Sequence, residues 1–532
     1  MKAILPALRR VESDAEIHAR RYVIAVTVTL ASVLELLDTS IVIVAIPHMM
    51  GTLGATLDEV AWVSTGYVVA NVIVLPISGW LASFVGRRNY FALSILVFTI
   101  ASWLCGNATS LEGLVFWRIV QGLGGGGLIS TAQATLYETF PPRETGTSMA
   151  IFGLGIMVGP MLGPTLGGWI TDAWSWPWIF YINIPLGALA LLLALMYVPD
   201  SKYGVRAEEV DGAGFLLLAI GIGCLQTLLE RGEKLDWFDS REIVCYALVS
   251  ALALVLFVRQ ELRHSHPIVD LRILHDTQFA VSLFFTFLVG AALFSTIFVF
   301  PVYAQTLLGF TAWETGLVIL PSAAASGVTM ALMGRLTAST RVDLRVFVVL
   351  GALIFGYAMW RHSMFTAYSG WDDFLGPLVL RGVGLGMIFI PLNNLALGNL
   401  QPRHIAGGSG MYNLTRQLGG SVGIATSATL FAQFQHANRG ELLRHVNQFS
   451  DASLQRVAQL KALVMSHGTP ETLAQSKALL LLNGQLSKQA AMLAFERLFL
   501  LFGIALLAAL PLLLLMQRGH FARGQGAGDA AH

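Results

Sequence analysis

Two carboxylates three residues apart, Glu35 and Asp38, lie within an apolar stretch that covers residues 22–47. Residues at this spacing share one face of an α-helix. Two close carboxylates in a medium of low dielectric constant do not both ionise easily, so we expect at least one of them to bind and release a proton. The alternative is that Asp38 stays ionised and forms a static ion pair with Arg118 of a later apolar stretch.

Arg118 begins a glycine-rich run at residues 118–127. Three of its glycines match the dinucleotide-binding pattern Gly-x-Gly-x-x-Gly, which requires a preceding β-strand. No strand pattern precedes them, and the run lies inside an apolar stretch long enough to cross a bilayer. We therefore expect the glycines to let another helix approach, with Arg118 facing a central cavity and Gln121 contacting substrate there.

A second glycine-rich stretch combines small residues with prolines. Glycines four residues apart form a face on which two helices pack closely, and a proline inside a helix bends it. The residues expected to control packing and bending are Gly155, Gly159, Pro160, Gly163, Pro164 and Gly167.

Polar side chains also lie at or near membrane depth in the carboxy-terminal part of the chain. We expect half of them, at most, to contact a solute and the others to bond backbone carbonyls or neighbouring helices. These candidate cavity residues are Gln305, Asn393, Asn394, Asn413, Arg416 and Gln417, with Arg381 a further buried cation.

The composition places these residues in a membrane protein. Of 532 residues, 55% are apolar and 12% are charged, and a soluble protein of this size could not cover so much apolar surface. Basic residues are too dispersed for a nucleic-acid surface. The three cysteines lack metal-ligand spacing, and no Ser/His/Asp set is apparent, so neither a metal site nor a catalytic site is predicted.

Fourteen transmembrane helices are predicted from the apolar stretches. Their cores are residues 22–48, 59–82, 89–107, 111–137, 146–170, 177–198, 212–230, 242–259, 279–308, 314–334, 344–362, 374–400, 405–436 and 491–516. An even number puts both termini on one side. That side holds 19 of the 33 Lys and Arg residues, against 4 in the short loops opposite, so both termini are expected to be cytoplasmic.

An internal repeat divides the chain. Pro142 and Arg143 precede Gly159 and Gly163 at the spacings found again, 260 residues later, from Pro402 and Arg403 to Gly419 and Gly423. Each half also has an arginine in a glycine-rich helix, Arg118 or Arg381. We interpret the chain as a tail (1–21), a six-helix half (22–198), two extra helices with their loops (199–278), a second six-helix half (279–516) and a second tail (517–532).

Several segments resemble motifs of the major facilitator superfamily, specifically its fourteen-helix drug:proton antiporter branch of the EmrB/QacA type. Residues 37–47 resemble the first-helix motif, 118–127 the helix-four motif, 155–168 the antiporter motif and 178–187 the sixth helix. The loop between helices two and three resembles the gating motif through Gly79, Gly86, Arg87 and Arg88. Its usual acidic residue is missing, since Ser83 and Phe84 stand there.

The resemblance implies an all-α major facilitator fold and a proton-driven exporter of hydrophobic or amphiphilic compounds. Without a Gly-Lys dipeptide the chain has no Walker A loop, so a proton gradient is the expected energy source and no cofactor is expected. Asp38, Glu35 and Arg118 are the candidate proton-coupling residues. A dedicated exporter of a fatty acid, siderophore or aromatic acid is the alternative, and a membrane sensor or embedded enzyme is disfavoured.

Carriers of this type reside in the inner membrane and work with a periplasmic adaptor and an outer-membrane channel, which the resemblance implies as partners. The polar segment 437–490 lies on the outer side in the predicted topology and contains helix-like patterns. It is a candidate docking surface for the adaptor, and a loosely structured loop is the equal alternative.

Overall fold

A computed structural model describes residues 14–141, 144–201, 211–264, 267–339, 342–398, 400–446 and 450–516. Within these ranges the regular structure is helical and contains no β-strand. The α-helices are α1 (Asp14–Leu53), α2 (Leu57–Val85), α3 (Arg87–Gly106), α4 (Leu111–Gly125), α5 (Leu128–Thr139), α6 (Thr145–Ala173), α7 (Trp178–Tyr181), α8 (Asn183–Tyr197), α9 (Gly212–Arg231), α10 (Arg241–Arg263), α11 (Thr277–Thr306), α12 (Ala312–Ser339), α13 (Leu344–His362), α14 (Trp371–Leu397), α15 (Ile405–His445), α16 (Asp451–Ser466) and α17 (Glu471–Ala508).

Twelve segments of the described helices are long and apolar enough to cross a membrane. The helix predicted at residues 111–137 is divided at Gly126 and Gly127 into α4 and α5, each too short by itself. The helix α15 is long, but polar side chains such as Asn413 and Arg416 lower its mean hydropathy. With these two included, the helix bundle contains the fourteen predicted passages, and the all-α polytopic fold is confirmed.

The two halves repeat the same helix pairs. Helix α1 packs against α6 as α11 packs against α15, and α4 packs against α3 as α14 packs against α13. A Cβ atom at Gly124 would lie 2.8 Å from the Phe98 nitrogen of α3, and one at Gly384 would lie 2.8 Å from the Phe355 nitrogen of α13. Gly124 and Gly384 are 260 residues apart, so α4 and α14 align at the predicted offset, whereas their partners Phe98 and Phe355 are 257 residues apart.

The two intramembrane arginines that marked the repeat do not occupy equivalent positions. At the offset of 260, Arg118 aligns with Leu378, and Arg381 aligns with Gln121. The two arginines are therefore three residues out of step in the repeat, because the glycine contacts set the register of α4 and α14. Pro142 and Arg143 lie outside the described residues.

The two extra helices, α9 and α10, pack on each other and on both halves. Ser250 of α10 donates to the Gly221 carbonyl of α9 at 2.8 Å. Gln226 of α9 donates to Ser421 of α15 at 2.8 Å, and a Cβ atom at Gly223 would meet Ile73 of α2 at 3.5 Å. This pair therefore lies beside the contact between α2 and α15.

Several helices are interrupted, or extend beyond the boundaries predicted for them. The predicted sixth helix is divided at Ile182 into α7 and α8. Helices α15 and α17 continue past the predicted boundaries at residues 436 and 491, and α16 lies between them in sequence. The described part of segment 437–490 is therefore mostly helical, and Asn438 donates to the Ala490 carbonyl at 3.3 Å where the two long helices meet. Residues 447–449 lie outside the described ranges.

Basic side chains gather at one end of the bundle, which we call the basic end and define by Arg21, Arg87, Arg88, Arg345 and Arg403. Arg21 of α1 pairs with Glu144, just before α6, at 2.8 Å. Arg345 of α13 donates to the Met516 carbonyl at 2.8 Å. These contacts bring helix ends that are distant in sequence to the same end.

Candidate functional site

Asp38 lies at the centre of a fully buried polar cluster in the amino-terminal half. One carboxylate oxygen accepts from Arg118 of α4 at 2.5 Å. The other accepts from Gln121 at 2.9 Å and from Asn183 at 2.7 Å. Three donors from two other helices therefore satisfy both oxygens of this buried carboxylate.

Arg118 is held by more than its partner carboxylate. Its Nε donates to the Val63 carbonyl of α2 at 3.1 Å, and Nη1 also donates to Gln121 at 2.8 Å. The guanidinium carbon lies 4.1 Å from the centre of the Tyr67 ring and 5.6 Å from that of Phe180. The side chain is 1% exposed, so in this conformation Arg118 and Gln121 point into the half itself and not into an open cavity.

The break between α7 and α8 positions Asn183. The new helix begins at Asn183, and its side-chain amide reaches both Asp38 and the Ser102 hydroxyl of α3, the latter at 3.0 Å. Ser102 in turn donates to the Phe180 carbonyl at 2.9 Å, one of the groups near the break. Helices α1, α3, α4 and α8 thus meet at one carboxylate.

Glu35, one turn earlier on α1, has a different environment. Its Oε1 accepts from Asn71 of α2 at 2.7 Å. Its Oε2 is buried and has no hydrogen-bond partner among the described groups. Arg416 of α15, in the other half, lies within electrostatic range but forms no ion pair with it among the described residues. Glu35 therefore has fewer hydrogen-bond donors than Asp38, and leaving a buried polar oxygen without a donor is costly.

The glycine face of α6 brings this part of α1 close. A Cβ atom at Gly159 would lie 2.7 Å from the Leu36 Cβ and 3.1 Å from the Leu37 nitrogen. Ser40 donates to the Gly159 carbonyl at 3.2 Å. The other members of the face, Gly155, Gly163 and Gly167, also leave no room for a side chain against α1, and Pro160 and Pro164 lie within α6 between them.

The predicted gating residues lie at the basic end. A Cβ atom at Gly79 would lie 2.8 Å from the Ala406 backbone at the start of α15. Gly86 has a backbone φ of 93°, which residues with a side chain rarely adopt. Glycine at this position therefore permits the sharp turn between α2 and α3.

The two arginines after that turn bind within the amino-terminal half. Arg87 pairs with Glu138 at the end of α5, so its acidic partner lies on another helix and not in the loop. The Arg88 backbone nitrogen donates to Asp200 at 3.2 Å, and its side chain donates to the Leu195 carbonyl.

Three of the predicted cavity residues join the two halves near the basic end. Tyr137 of α5 donates to Asn393 at 2.6 Å and contacts the Asn394 oxygen at 3.0 Å, both on α14. Asn413 of α15 donates to Gln133 of α5 at 2.6 Å. These contacts hold the halves together, and they would have to break for the basic end to open.

The remaining cavity candidates are dispersed. Gln305 is exposed near the end of α11, away from the basic end. Arg416 is buried with its guanidinium carbon 5.8 Å from the Phe389 ring centre, and the neighbouring Gln417 is half-buried. The structure therefore brings Arg416 towards Glu35 but does not bring Gln305 to either group.

Sequence reasoning missed several polar partners of the candidate site. Asn71, Gln133, Tyr137 and Glu138 were given no role, and Asn183 was noted only as part of a motif. Polar side chains within apolar helices were the available signal for the first three, because each needs a partner at membrane depth.

Comparison with known proteins agrees with this architecture. The family model for the Major Facilitator Superfamily matches residues 28–424. The chain is 32% identical over 449 residues to the multidrug export protein EmrB of Escherichia coli strain K12, covering 84% of this chain and 87% of that protein. It is 31% identical over 503 residues to the fatty acid resistance protein FarB of Neisseria gonorrhoeae, covering 94% and 97%.

A solved structure shares the fold alone. The human organic anion transporter MFSD10 (TETRAN) superposes with a TM-score of 0.56 at 13% identity, covering 91% of this chain and 99% of that one. Together with the sequence matches, the paired helices and the glycine face between α1 and α6, this places the chain among transporters. The protein belongs to the major facilitator superfamily and, within it, to the EmrB-like transporters.

Proposed function

We propose that this protein is a proton-coupled antiporter that exports hydrophobic or amphiphilic toxic compounds by alternating access. The observation that carries the proposal is the unequal pair of buried carboxylates on α1. Asp38 accepts three hydrogen bonds, one from Arg118, whereas Glu35 accepts one and has an unpartnered oxygen. Such a pair places two carboxyl groups with unequal hydrogen bonding one helical turn apart, inside the membrane-spanning bundle.

The proton would move between these acids and solvent as the halves rock. In the conformation described here the halves touch at the basic end, through Tyr137 and Asn413. Opening that end separates α5 from α14 and α15 and moves Arg416 away from Glu35. Because Asp38 and Arg118 lie within one half, their bond would loosen only when α1 and α4 shift against each other, and proton uptake by Asp38 would accompany that shift.

The energy for export would come from the proton gradient. One charge moving through the membrane potential releases about 2.3 kcal/mol per 100 mV. The glycine face of α6 supports this role, because tight packing against α1 would keep protons from passing without substrate.

The relatives support export and leave two substrate ranges. EmrB is named for multidrug export and FarB for resistance to fatty acids. We propose broad export of hydrophobic and amphiphilic compounds as the main function. A dedicated exporter of one metabolite, such as a fatty acid, siderophore or aromatic acid, is the second candidate, and the match to FarB over 94% of this chain favours it.

Purified protein tests the coupling directly. Adding a lipophilic cation such as ethidium to weakly buffered protein in detergent should release protons, because substrate and proton compete in an antiporter. The release is measured with a pH-sensitive dye, and buffer without protein provides the baseline. Substrate binding at unchanged pH, for ethidium and for a panel of neutral and acidic amphiphiles, would contradict proton coupling.

We place the carrier in the inner membrane with both termini in the cytoplasm, so that the basic end faces the cytoplasm. The helical extension at residues 437–490 then projects into the periplasm. Leucines on it are exposed, including Leu454, Leu473 and Leu480. We propose that it docks a periplasmic adaptor, through which export continues to an outer-membrane channel.

Replacing the extension tests this partner. The bond between Asn438 and the Ala490 carbonyl brings the two ends together, so a short Gly/Ser linker can replace the segment without pulling α15 from α17. We expect substrate-driven proton release by the purified variant to stay within about twofold of wild type, since the acids on α1 are untouched. Resistance of cells should be lost, because export across both membranes needs the assembled pump.

A matched variant separates docking from folding. Changing Leu473 and Leu480 to Ser keeps the helices and removes two exposed apolar contacts, and it should weaken adaptor co-purification. Full cellular resistance in the linker variant, with the adaptor still required, would place the docking surface elsewhere.

A further inference from the structure

Arg381 is a buried cation without a carboxylate partner. It lies on α14 at 4% exposure. Its Nε donates to the Ser322 hydroxyl of α12 at 3.2 Å, and its Nη1 is buried with no partner among the described groups. No described acid lies close enough to pair with this charge.

The repeat explains why this charge has no partner. Arg381 aligns with Gln121, whose amide binds Asp38 in the amino-terminal half. On the facing helices, Gly159 lies against Leu36 and Leu37 of α1, and Gly419 lies against Phe287 of α11. These contacts relate α1 to α11 by an offset of 250 or 251, at which Asp38 aligns with Leu288 or Val289, both apolar.

At the position of Gln121, the carboxy-terminal half therefore has the cation Arg381. At the position of Asp38, it has an apolar residue of α11. Helices α11 and α13 contain no Asp or Glu, and the acids of α12 and α14 lie in their first turns.

A second unpartnered group lies nearby. His362 of α13 is fully buried and within electrostatic range of Arg381. Its Nδ1 is hydrogen-bonded to the Ala358 carbonyl at 2.7 Å, and its Nε2 has no partner within the described part of the chain. Aromatic rings surround it, with Phe365 at 4.8 Å and Phe499 at 5.3 Å between ring centres. Arg381 Nη1 and His362 Nε2 are thus two buried nitrogens without a described partner, and a negatively charged head group could bind to them.

We propose that Arg381 binds the carboxylate of an acidic amphiphile during transport. A guanidinium matches a carboxylate in charge and in planar, two-pronged geometry. The substrate would supply the negative charge that α11, which has no Asp or Glu, does not provide. Binding requires a conformation in which Arg381 is less enclosed than it is here. The proposal rests on the proposed export function and adds to it a preference for monocarboxylates over neutral compounds of the same shape.

The test compares two probes with the same chain length, dodecanoate with a charged carboxylate and dodecanol with a neutral hydroxyl, bound to the full-length protein in phosphatidylcholine nanodiscs. Wild-type protein should bind dodecanoate at least about tenfold more tightly than dodecanol, the effect of one charge-assisted hydrogen-bonded pair. Arg381→Gln should remove that preference by weakening dodecanoate binding alone. Glutamine is the residue at the aligned position 121, so we expect the variant to fold.

Two further variants keep the test falsifiable. Arg381→Lys retains the charge and should keep part of the preference. Arg361→Gln removes an exposed arginine of the same half and should behave as wild type. Equal weakening of both probes by Arg381→Gln, or an unchanged preference for dodecanoate, would overturn the proposal.

An anionic lipid head group has the same chemistry as a fatty-acid carboxylate, so the lipid must be varied. If the preference for dodecanoate disappears when phosphatidylglycerol replaces phosphatidylcholine, the site belongs to lipid and the proposal of a transported acid fails. Ethidium-driven proton release on the same samples tests the proposed function separately. If ethidium released no protons, the proposed proton coupling would be overturned. The comparison of dodecanoate with dodecanol binding would still test the role of Arg381.

Discussion

Asp38→Asn should abolish efflux driven by a pH gradient in proteoliposomes while the protein remains in the membrane. Asparagine keeps the shape of the side chain and an oxygen that can accept from Gln121 or Asn183. It cannot take up or release a proton, and it leaves Arg118 without its counter-charge. The measurement is uphill export of ethidium at an imposed pH gradient, with counterflow exchange recording transport that needs no gradient.

Loss of the ion pair also threatens folding, since removing one partner of a buried pair costs about 3–5 kcal/mol. The double variant Asp38→Asn/Arg118→Gln removes both charges and should recover most of the lost thermal stability without recovering uphill efflux. Glu35→Gln should have a smaller or substrate-dependent effect, because the amide oxygen can still accept from Asn71. If the Asp38→Asn protein showed unchanged gradient-driven efflux, the assignment of Asp38 as a proton-coupling residue would be wrong.

Gly159→Leu should impair export strongly and make the membrane leak protons. The added side chain would clash with α1 at Leu36 and Leu37. A Cβ atom alone would already lie 2.7 Å from its nearest neighbour. Overpacking of this kind costs about 1–3 kcal/mol and would displace the helix that carries Asp38. Efflux and the decay of an imposed pH gradient in proteoliposomes measure the two effects.

The same helix offers a matched control. A Cβ atom at Gly168 would meet only Val44, at an ordinary distance of 3.8 Å. Gly168→Ala should therefore export at the wild-type rate, whereas Gly159→Ala should lose activity in the direction of Gly159→Leu. Equal activity of both alanine variants, with no leak in Gly159→Leu, would mean that close packing at Gly159 is not required.

The amino-acid sequence by itself determined the fold class and the order of the membrane helices. A bilayer requires about 20 apolar residues per passage, and this requirement can be read locally along the chain. The spacing of Gly159 and Gly163 predicted a close helix contact for the same reason, since four residues return to one face of a helix. The sequence also singled out Asp38 and Arg118, because charge within an apolar stretch is rare.

Only the tertiary structure decided which groups meet. Helix spacing does not specify how one helix is rotated against another, so the bonds from Asn71 to Glu35 and from Asn183 to Asp38 could not be derived. The same limit left the register of Arg118 and Arg381 open, and only the packed glycines align Arg381 with Gln121 in the repeat.

The position of polar residues between the two halves also depended on tertiary structure. From the sequence we expected Asn393 and Asn413 to line the substrate cavity. In the structure they form hydrogen bonds with Tyr137 and Gln133 across the contact between the halves. Contacts between residues more than 250 positions apart depend on how two whole bundles dock. That arrangement is set by many surfaces together, so no local pattern in the sequence encodes it.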